Sequence, residues 1–184
     1  KRDDYIPDRA TISFWYSRIA SAYEAPLAGI AADIKNCLLA KGLNPTIKYR
    51  IKSFESYFNK LLRRMREHRG QFDPAAITDI LGVRVIFPFL EDIEAAEKIL
   101  RDSFIISACE RKGFNHSFRE FGYEATHLML NLEGRIIDPA IDEKISQCEI
   151  QLSTILQDAW SEVEHELVYK AEFTPFDLPL KRKL

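Results

Sequence analysis

Two acidic residues stand where short apolar stretches begin, and a carboxylate in such a place needs a cation. Asp79 precedes an apolar run that extends to Phe87, and Glu149 heads an alternating stretch that ends at Leu152. Two strand-borne carboxylates can share one Mg²⁺, because this hard ion prefers oxygen ligands and usually keeps substrate phosphates as further ligands. The pattern therefore indicates a candidate metal pair, with merely solvated strand ends as the alternative.

Basic residues at helical spacing follow a predicted strand and could bind a polyphosphate. Lys52, Ser56 and Lys60 are one helical turn apart and therefore stack on one face of a helix, and Arg50 is on the strand before it. An anion along that face would meet two ammonium groups and a hydroxyl near the positive end of the helix dipole. The alternative is an ordinary surface helix that repeats lysine at this period.

A tyrosine and a histidine enter a later predicted strand together. Tyr123 and His127 point to the same face of that strand because its side chains alternate with a period of two. A tyrosine ring at the end of a loop can stack on a nucleobase, and a histidine can contact a phosphate or a hydroxyl group. The alternative is a tyrosine that only packs and a histidine that only hydrogen-bonds within the fold.

The composition is that of an ordinary globular domain. The chain has 184 residues, of which 46% are hydrophobic and 29% charged, and its net charge is -2. A chain of this length can bury a core without disulfides, so we expect one domain over residues 1–184. The three cysteines are widely spaced and form no Cys-x-x-Cys pair, which predicts reduced thiols and a cytoplasmic location. No apolar run is long enough to span a membrane, so we expect no membrane partner.

Apolar periodicity predicts five strands and several helices. We expect two N-terminal helices within residues 1–44, one on each side of Pro26, then a core over 45–170 and an extended tail over 171–184. The predicted strands are 46–51, 82–89, 104–109, 126–132 and 148–152. The later predicted helices are one capped by Ser53 and two over 92–100 and 156–169, with a loop over 110–121. This alternation indicates an α/β or α+β class with a mixed sheet flanked by helices.

Taken in order, the motifs resemble the synthetase domain of the RelA/SpoT family, the pyrophosphokinases that make (p)ppGpp. The ordered motifs are Arg50-x-Lys52-x₃-Ser56-x₃-Lys60, Asp79-Ile-x-Gly-x-Arg84, Gly122-Tyr123-x₃-His127, Glu149-Ile-Gln-Leu and Trp160-x₄-His165-x₃-Tyr169-Lys170. The likeness extends from Tyr16 to Lys170. It implies a mostly antiparallel five-stranded sheet of the nucleotidyltransferase-like synthetase fold.

The resemblance implies a donor site for ATP and Mg²⁺. Arg50 and Arg84 match the arginines that sandwich the adenine ring, and guanidinium planes stack well on π faces. The matching phosphate-binding set is Lys52, Ser56 and Lys60. Asp79 matches the Mg²⁺ ligand, and Glu149 matches the carboxylate that completes the metal site and takes the proton of the attacking hydroxyl.

The resemblance also implies an acceptor site, where the chain departs from the family pattern. The matching positions are Arg119, in the place of a usual lysine, Tyr123, His127 and Gln151. The departures are Phe121 for Asn, Ala125 for Ser, Ser153 for Arg, and Asp158 for His or Asn. Both Ser153 and Asp158 predict less positive potential where a GDP or GTP acceptor would put its phosphates.

Three functions are compatible with these residues. The first is transfer of the β,γ-pyrophosphate of ATP to the ribose 3′-hydroxyl of GDP or GTP, which makes (p)ppGpp and AMP. The second is that of the toxic small alarmone synthetases, which modify the 3′ end of tRNA or an adenine nucleotide, with the basic run 60–69 holding RNA backbone. The third is a degenerate module that binds nucleotide without turnover. The retained pair Asp79 and Glu149 argues against it, because a module that only binds has no need of two carboxylates facing the phosphates. A homo-oligomer and an antitoxin are further partners that the resemblance allows.

Overall fold

The computed structural model describes residues 8–67, 77–112, 125–133 and 145–164. These described residues form four helices and five strands. In chain order the elements are α1 (Arg9–Leu39), β1 (Thr46–Ile51), α2 (Phe54–Glu67), β2 (Leu81–Phe87), α3 (Leu90–Ser103), β3 (Ile106–Lys112), β4 (Ala125–Asn131), β5 (Gln147–Thr154) and α4 (Ile155–Glu164).

All five strands join one sheet in the order β1-β2-β5-β4-β3. The pairs β1–β2, β5–β4 and β4–β3 are antiparallel, whereas β2 and β5 are parallel neighbours. The prediction of a mixed, mostly antiparallel five-stranded sheet flanked by helices is therefore confirmed. Because β2 and β5 run in the same direction, the segments that lead into them lie at the same end of the strands.

An apolar core covers one face of the sheet, and the strand period of two leaves polar residues on the other face. Along β2, Val83 and Val85 are buried while Arg84 between them is partly exposed. Along β5, Ile150 is fully buried and the preceding Glu149 is partly exposed. On the apolar side, α1 packs against β1 and α3, and α3 packs against β5. The polar face is therefore the one that can hold a hydrophilic ligand.

The first helix corrects one expectation, because α1 continues through Pro26 instead of ending there. Proline removes a backbone hydrogen bond and strains the preceding turn, at a cost of about 3 kcal/mol. The buried stripe of α1 extends across this position, and its members are Tyr16, Ile19, Tyr23, Leu27, Ile30, Ala31, Ile34 and Leu38. Burial of one large apolar side chain contributes roughly 1.5–3 kcal/mol, so packing of both halves on one core outweighs the proline.

The remaining predicted elements are found with shifted ends. β1 matches its predicted range, and Ser53 Oγ accepts a hydrogen bond from the backbone N–H of Ser56 at 3.3 Å, as expected for the N-terminus of α2. The predicted loop 110–121 is wrong in its first residues, because pairing with β4 extends β3 to Lys112. The rest of that loop, the predicted helix end 165–169 and the tail 171–184 lie outside the described residues.

In the part of the chain that the structure describes, no helix combines the length and the apolar character needed to cross a bilayer.

Candidate active site

Strand register brings polar residues from distant parts of the chain into two rows across the polar face. The first row consists of Lys48, Arg84, Gln151 and His127, on β1, β2, β5 and β4. The second row consists of Arg50, Gly82 and Glu149, on β1, β2 and β5. Residues that are side by side on neighbouring strands project to the same face. The sheet therefore collects these side chains over one small area.

Both rows line a cavity of roughly 400 Å³, a volume typical of small-ligand sites. Lys52, just after β1, and Asp79, just before β2, also line the cavity, as does Glu162 of α4. The wall thus mixes cationic groups with carboxylates, which suits a ligand that carries phosphates and a divalent ion.

Asp79 lies in the segment that leads into β2, and it joins two lysines. Its Oδ2 accepts a hydrogen bond from Lys52 Nζ at 2.7 Å and is 2.8 Å from Lys60 Nζ. Burial opposes ionisation of Asp79, but the hydrogen bonds and charges of the two lysines outweigh it and lower the pKa of this carboxyl below its ordinary value. One carboxylate therefore stays ionised between two ammonium groups, and this corner of the cavity has a surplus of positive charge.

The junction that carries Lys52 is supported from the core. The hydroxyl of Tyr16 on α1 donates to the backbone oxygen of Lys52 at 2.5 Å, and burial raises the pKa of this phenol. The ring of Tyr16 packs on that of Tyr57 in α2, with centroids 4.6 Å apart. The long first helix thus fixes the position from which Lys52 reaches Asp79.

The other oxygen of Asp79 can serve as a ligand for a cation. Among the described residues, Asp79 Oδ1 and Ser153 Oγ are the buried side-chain oxygens that have no hydrogen-bond partner. A buried carboxylate oxygen without a partner is costly, and an ion or a ligand can satisfy it. The ranges 8–67, 77–112, 125–133 and 145–164 contain no group of three or more His, Cys, Asp or Glu side chains arranged to hold a metal by themselves. Asp79 and Glu149 both line the cavity, and carboxylate oxygens are of the ligand type that Mg²⁺ takes together with substrate phosphates.

Glu149 has a different environment in the same cavity. His127 Nδ1 is 2.7 Å from Glu149 Oε1, and Gln151 Nε2 donates to Oε2 at 2.7 Å. When Glu149 is ionised it can only accept hydrogen bonds, and Nδ1 of His127 is then the donor in the first contact. The side chain of His127 is 6% exposed and that of Glu149 15%, so the pair is held firmly at the cavity wall.

Arg84 is held on several sides. Its Nη1 donates to Asp158 Oδ1 at 2.8 Å and to Glu162 Oε1 at 2.7 Å. Its Nε donates to Gln151 Oε1 at 3.2 Å. Burial alone would lower the pKa of Arg84, but the hydrogen bonds and charges of Glu162 and Asp158 outweigh it and raise the pKa above its ordinary value. Gln151 therefore bridges Arg84 and Glu149 with the two ends of one amide.

Asp158 pairs with two of the cationic side chains that line the cavity. Its Oδ1 accepts from Arg84, and its Oδ2 accepts from Lys48 Nζ at 2.7 Å. Burial works against its charge, but these two cations lower the pKa of Asp158 below its ordinary value. The reason is topological, because α4 follows β5 without a loop and packs against β2, the strand of Arg84.

Gly82 keeps the centre of the second row open. A β-carbon added at Gly82 would meet only the backbone oxygen of Arg50, at 3.8 Å, so the backbone does not itself demand glycine here. The position lines the cavity between Arg50 and Glu149. A larger side chain would therefore occupy the space of a ligand rather than disturb the sheet.

Most of the predicted site residues are brought together. Those that line the cavity are Arg50, Lys52, Asp79, Arg84, His127, Glu149 and Gln151. Lys60 joins them through its ion pair with Asp79. Ser56 is not among them, because it is exposed and accepts a hydrogen bond from Ser53 Oγ at 2.9 Å. Arg119 and Tyr123, predicted for the acceptor, lie outside the described residues.

Two residues that line the cavity were not predicted from the sequence. Lys48 lies two residues before Arg50 on β1, so the strand period could have indicated that it shares the polar face. Glu162 has no such signal, because its contact with Arg84 depends on how α4 docks against the sheet.

The chain was compared with known proteins and structures. Residues 49–174 match the family model described as the region found in RelA / SpoT proteins. The chain is 32% identical over 134 residues to the GTP pyrophosphokinase YwaC of Bacillus subtilis, an alignment that covers 72% of this chain and 62% of that protein. It therefore spans less than two thirds of the length of this relative.

Two solved structures from Bacillus subtilis have a similar fold. The small alarmone synthetase 1 bound to its product pppGpp superposes with a TM-score of 0.68 at 20% identity, covering 91% of this chain and 88% of that one. The small alarmone synthetase 2 superposes with a TM-score of 0.59 at 29% identity, covering 86% and 85%. Because the family model spans well over half of the sequence, the chain belongs to the family of proteins that contain the RelA/SpoT region.

Proposed function

We propose that this protein is an ATP-dependent pyrophosphokinase that transfers the β,γ-pyrophosphate of ATP to the ribose 3′-hydroxyl of GDP or GTP. The products are (p)ppGpp and AMP. The observation that carries this proposal is one cavity that is lined by Lys52, Asp79 and Glu149. Lys60 is joined to it through its ion pair with Asp79. The GTP pyrophosphokinase activity named for the relative YwaC, and the pppGpp bound to a structure of the same fold, support it.

On the donor side, the lysines supply charge to the phosphates of ATP. Lys52 and Lys60 both contact the same oxygen of Asp79, so an incoming polyphosphate competes with that carboxylate for their ammonium groups. Phosphate oxygens gain charge in the transition state of phosphoryl transfer, so cations placed beside them favour the transfer. Arg50 and Arg84 are the proposed partners of the adenine ring, while Ser56 is a proposed phosphate ligand only if the first turn of α2 rearranges.

The divalent ion belongs to the same proposal. Asp79 and Glu149 would hold Mg²⁺, with the unpartnered Oδ1 of Asp79 as the first ligand oxygen. When bound, the ion would neutralise charge on the phosphoryl oxygens. Lys52 and Lys60 would still contact the phosphates directly, because their positive charge does not depend on the ion.

Glu149 is the proposed general base. The acceptor 3′-oxygen forms a bond to the β-phosphorus of ATP, the bond from that phosphorus to the oxygen shared with the α-phosphate breaks, and AMP leaves with that oxygen. The proton of the 3′-hydroxyl passes to a carboxylate oxygen of Glu149. Hydrogen bonds from His127 and Gln151 orient this carboxylate, which is the condition for an efficient proton transfer.

The acceptor side rests on fewer contacts. His127 and Gln151 are the proposed acceptor residues that line the cavity. Arg119 and Tyr123 are proposed with them from their motif positions. We also propose a cytoplasmic location, because Cys37, Cys109 and Cys148 are not joined in disulfides. A homo-oligomer and an antitoxin partner stay predictions of the sequence.

The test uses ATP labelled in its γ-phosphate with Mg²⁺ and a panel of acceptors: GDP, GTP, ADP, ATP and deacylated tRNA. We expect label on GDP or GTP, release of AMP, and loss of both in Asp79→Ala. Glu97→Gln serves as a control, because Glu97 lies on α3 in ion pairs with Arg101 and Arg111 away from the cavity. Label on tRNA or an adenine nucleotide alone would replace the acceptor in this proposal, and no labelled product with any acceptor would contradict it.

A further inference from the structure

The guanidinium group of Arg84 is held through N–H groups at its edge, not through contacts with its faces. The hydrogen bonds that its Nη1 and Nε donate to Asp158, Glu162 and Gln151 have lengths of 2.7–3.2 Å. Guanidinium N–H groups lie in the plane of the group, so bonds of this kind fix the plane without covering its faces. An arginine held in this way is prepared to stack on a flat ring.

One of the three acceptors is better placed than the others to fix Arg84. The side chain of Asp158 is 10% exposed, whereas that of Glu162 is 58% exposed. Water competes with an exposed ion pair and makes it weak, but a buried pair leaves an uncompensated charge when it is broken. Both oxygens of Asp158 are also engaged, because Lys48 holds the second one.

We infer that Asp158 is a positioning residue that holds the guanidinium plane of Arg84 for stacking on the adenine of ATP. The inference rests on the proposed function, since it takes ATP as the ligand of the cavity. Asp158 does not itself line the cavity and acts through Arg84, which does and which would contact the base. The phosphate end is organised separately, by the contacts of Lys52 and Lys60 with Asp79.

This separation predicts that Asp158 affects the base and not the triphosphate. The test measures binding of Mg²⁺·ATP and of Mg²⁺·tripolyphosphate, which has phosphates and no base, by calorimetry on the full chain. In Asp158→Asn we expect about tenfold weaker binding of ATP, the effect of one weakened hydrogen bond to a charged group. We expect tripolyphosphate binding within about twofold of the wild type. An equal loss for both ligands would reduce Asp158 to a general structural role and overturn the inference.

A matched control is available elsewhere in the fold. Glu97 is a 14% exposed carboxylate that also contacts two cationic side chains, Arg101 and Arg111, but it does not line the cavity. Glu97→Gln should leave both binding constants unchanged. If it weakens ATP as much as Asp158→Asn does, the effect comes from the loss of any bridging carboxylate, and the inference is overturned.

A double-mutant cycle tests whether Asp158 acts through Arg84. Arg84→Ala should weaken ATP and spare tripolyphosphate, and adding Asp158→Asn to it should have no further effect, because residues that act as one unit are not additive. Additive losses would overturn the inference. If Asp158→Asn does not fold, Asp158→Glu is the second variant, since it keeps the charge but moves the carboxylate away from Arg84 and should also weaken binding of ATP alone. A wild-type chain that binds neither ligand would refute the proposed function, whereas tight ATP binding by wild type and Asp158→Asn alike would refute only the role of Asp158.

Discussion

Two carboxylates line the same cavity, and their partners are of different kinds. Asp79 is held by two lysine ammonium groups, while Glu149 is held by an imidazole and an amide. A carboxylate between two cations has a lowered pKa and is a poor proton acceptor. Under the proposed function, the contacts of Glu149 orient it for the proton transfer instead. The cavity would then hold one carboxylate that stays ionised and one that accepts a proton, and their different neighbours would account for the difference.

Replacement of Glu149 should have the largest effect on the reaction. Glu149→Gln keeps the shape of the side chain but removes the proton acceptor, so we expect kcat to fall by roughly 10²–10⁴. Binding of Mg²⁺·tripolyphosphate should decrease much less, because the lysines at Asp79 remain. Steady-state kinetics and calorimetry measure the two quantities, with Glu97→Gln as the control. Unchanged turnover would rule out Glu149 as the base.

Replacement of Lys60 should weaken the cationic group around Asp79, which Lys52 and Lys60 form. In Lys60→Ala one ammonium group is lost beside Asp79, so we expect ATP and tripolyphosphate to bind more weakly by the same factor, roughly 10- to 100-fold. Lys98→Ala is the matched control, because Lys98 is exposed on α3. Calorimetry measures both ligands. A loss confined to ATP would show that Lys60 does not serve the phosphates.

Gln151 joins the two halves of the comparison, since it contacts Glu149 and Arg84. Gln151→Leu removes both hydrogen bonds without adding charge. If Gln151 orients Glu149, kcat should fall about tenfold while KM for the guanine nucleotide changes little. If it binds the acceptor instead, as the resemblance implies, KM should rise with kcat preserved. The two kinetic constants therefore decide between these roles.

The smallest effect is expected in the stability of the fold in acid. Asp158 has a lowered pKa in the folded chain, so the unfolded chain binds more protons in acid and stability falls as the pH drops below about 4. Asp158→Asn removes this term. The free energies of unfolding of wild type and variant, measured with urea, should differ most at neutral pH, and the difference should shrink as the pH falls below about 4. A difference that stays constant over this range would contradict the assignment.

The parts of the fold that depend on local pattern were predictable from the sequence. The alternation of polar and apolar residues located β1 and β5, and the β-branched, apolar composition located β2. Ser53 marked the start of α2. Pro26 was misleading, because local propensity favours a break there and the buried stripe on both sides of it overrides the break. Lys112 lies in a strand because β4 pairs with it, and that pairing has no local signal.

The sequence by itself determined which residue types could handle phosphates, a metal and a proton, since their order and spacing within single elements are local properties. Only the tertiary structure decided their partners. The parallel pairing of β2 with β5 puts Gln151 beside Arg84, and the docking of α4 gives Asp158 two cations instead of an open face. These contacts join residues far apart in the chain, and their energies depend on burial, which no short stretch of sequence specifies.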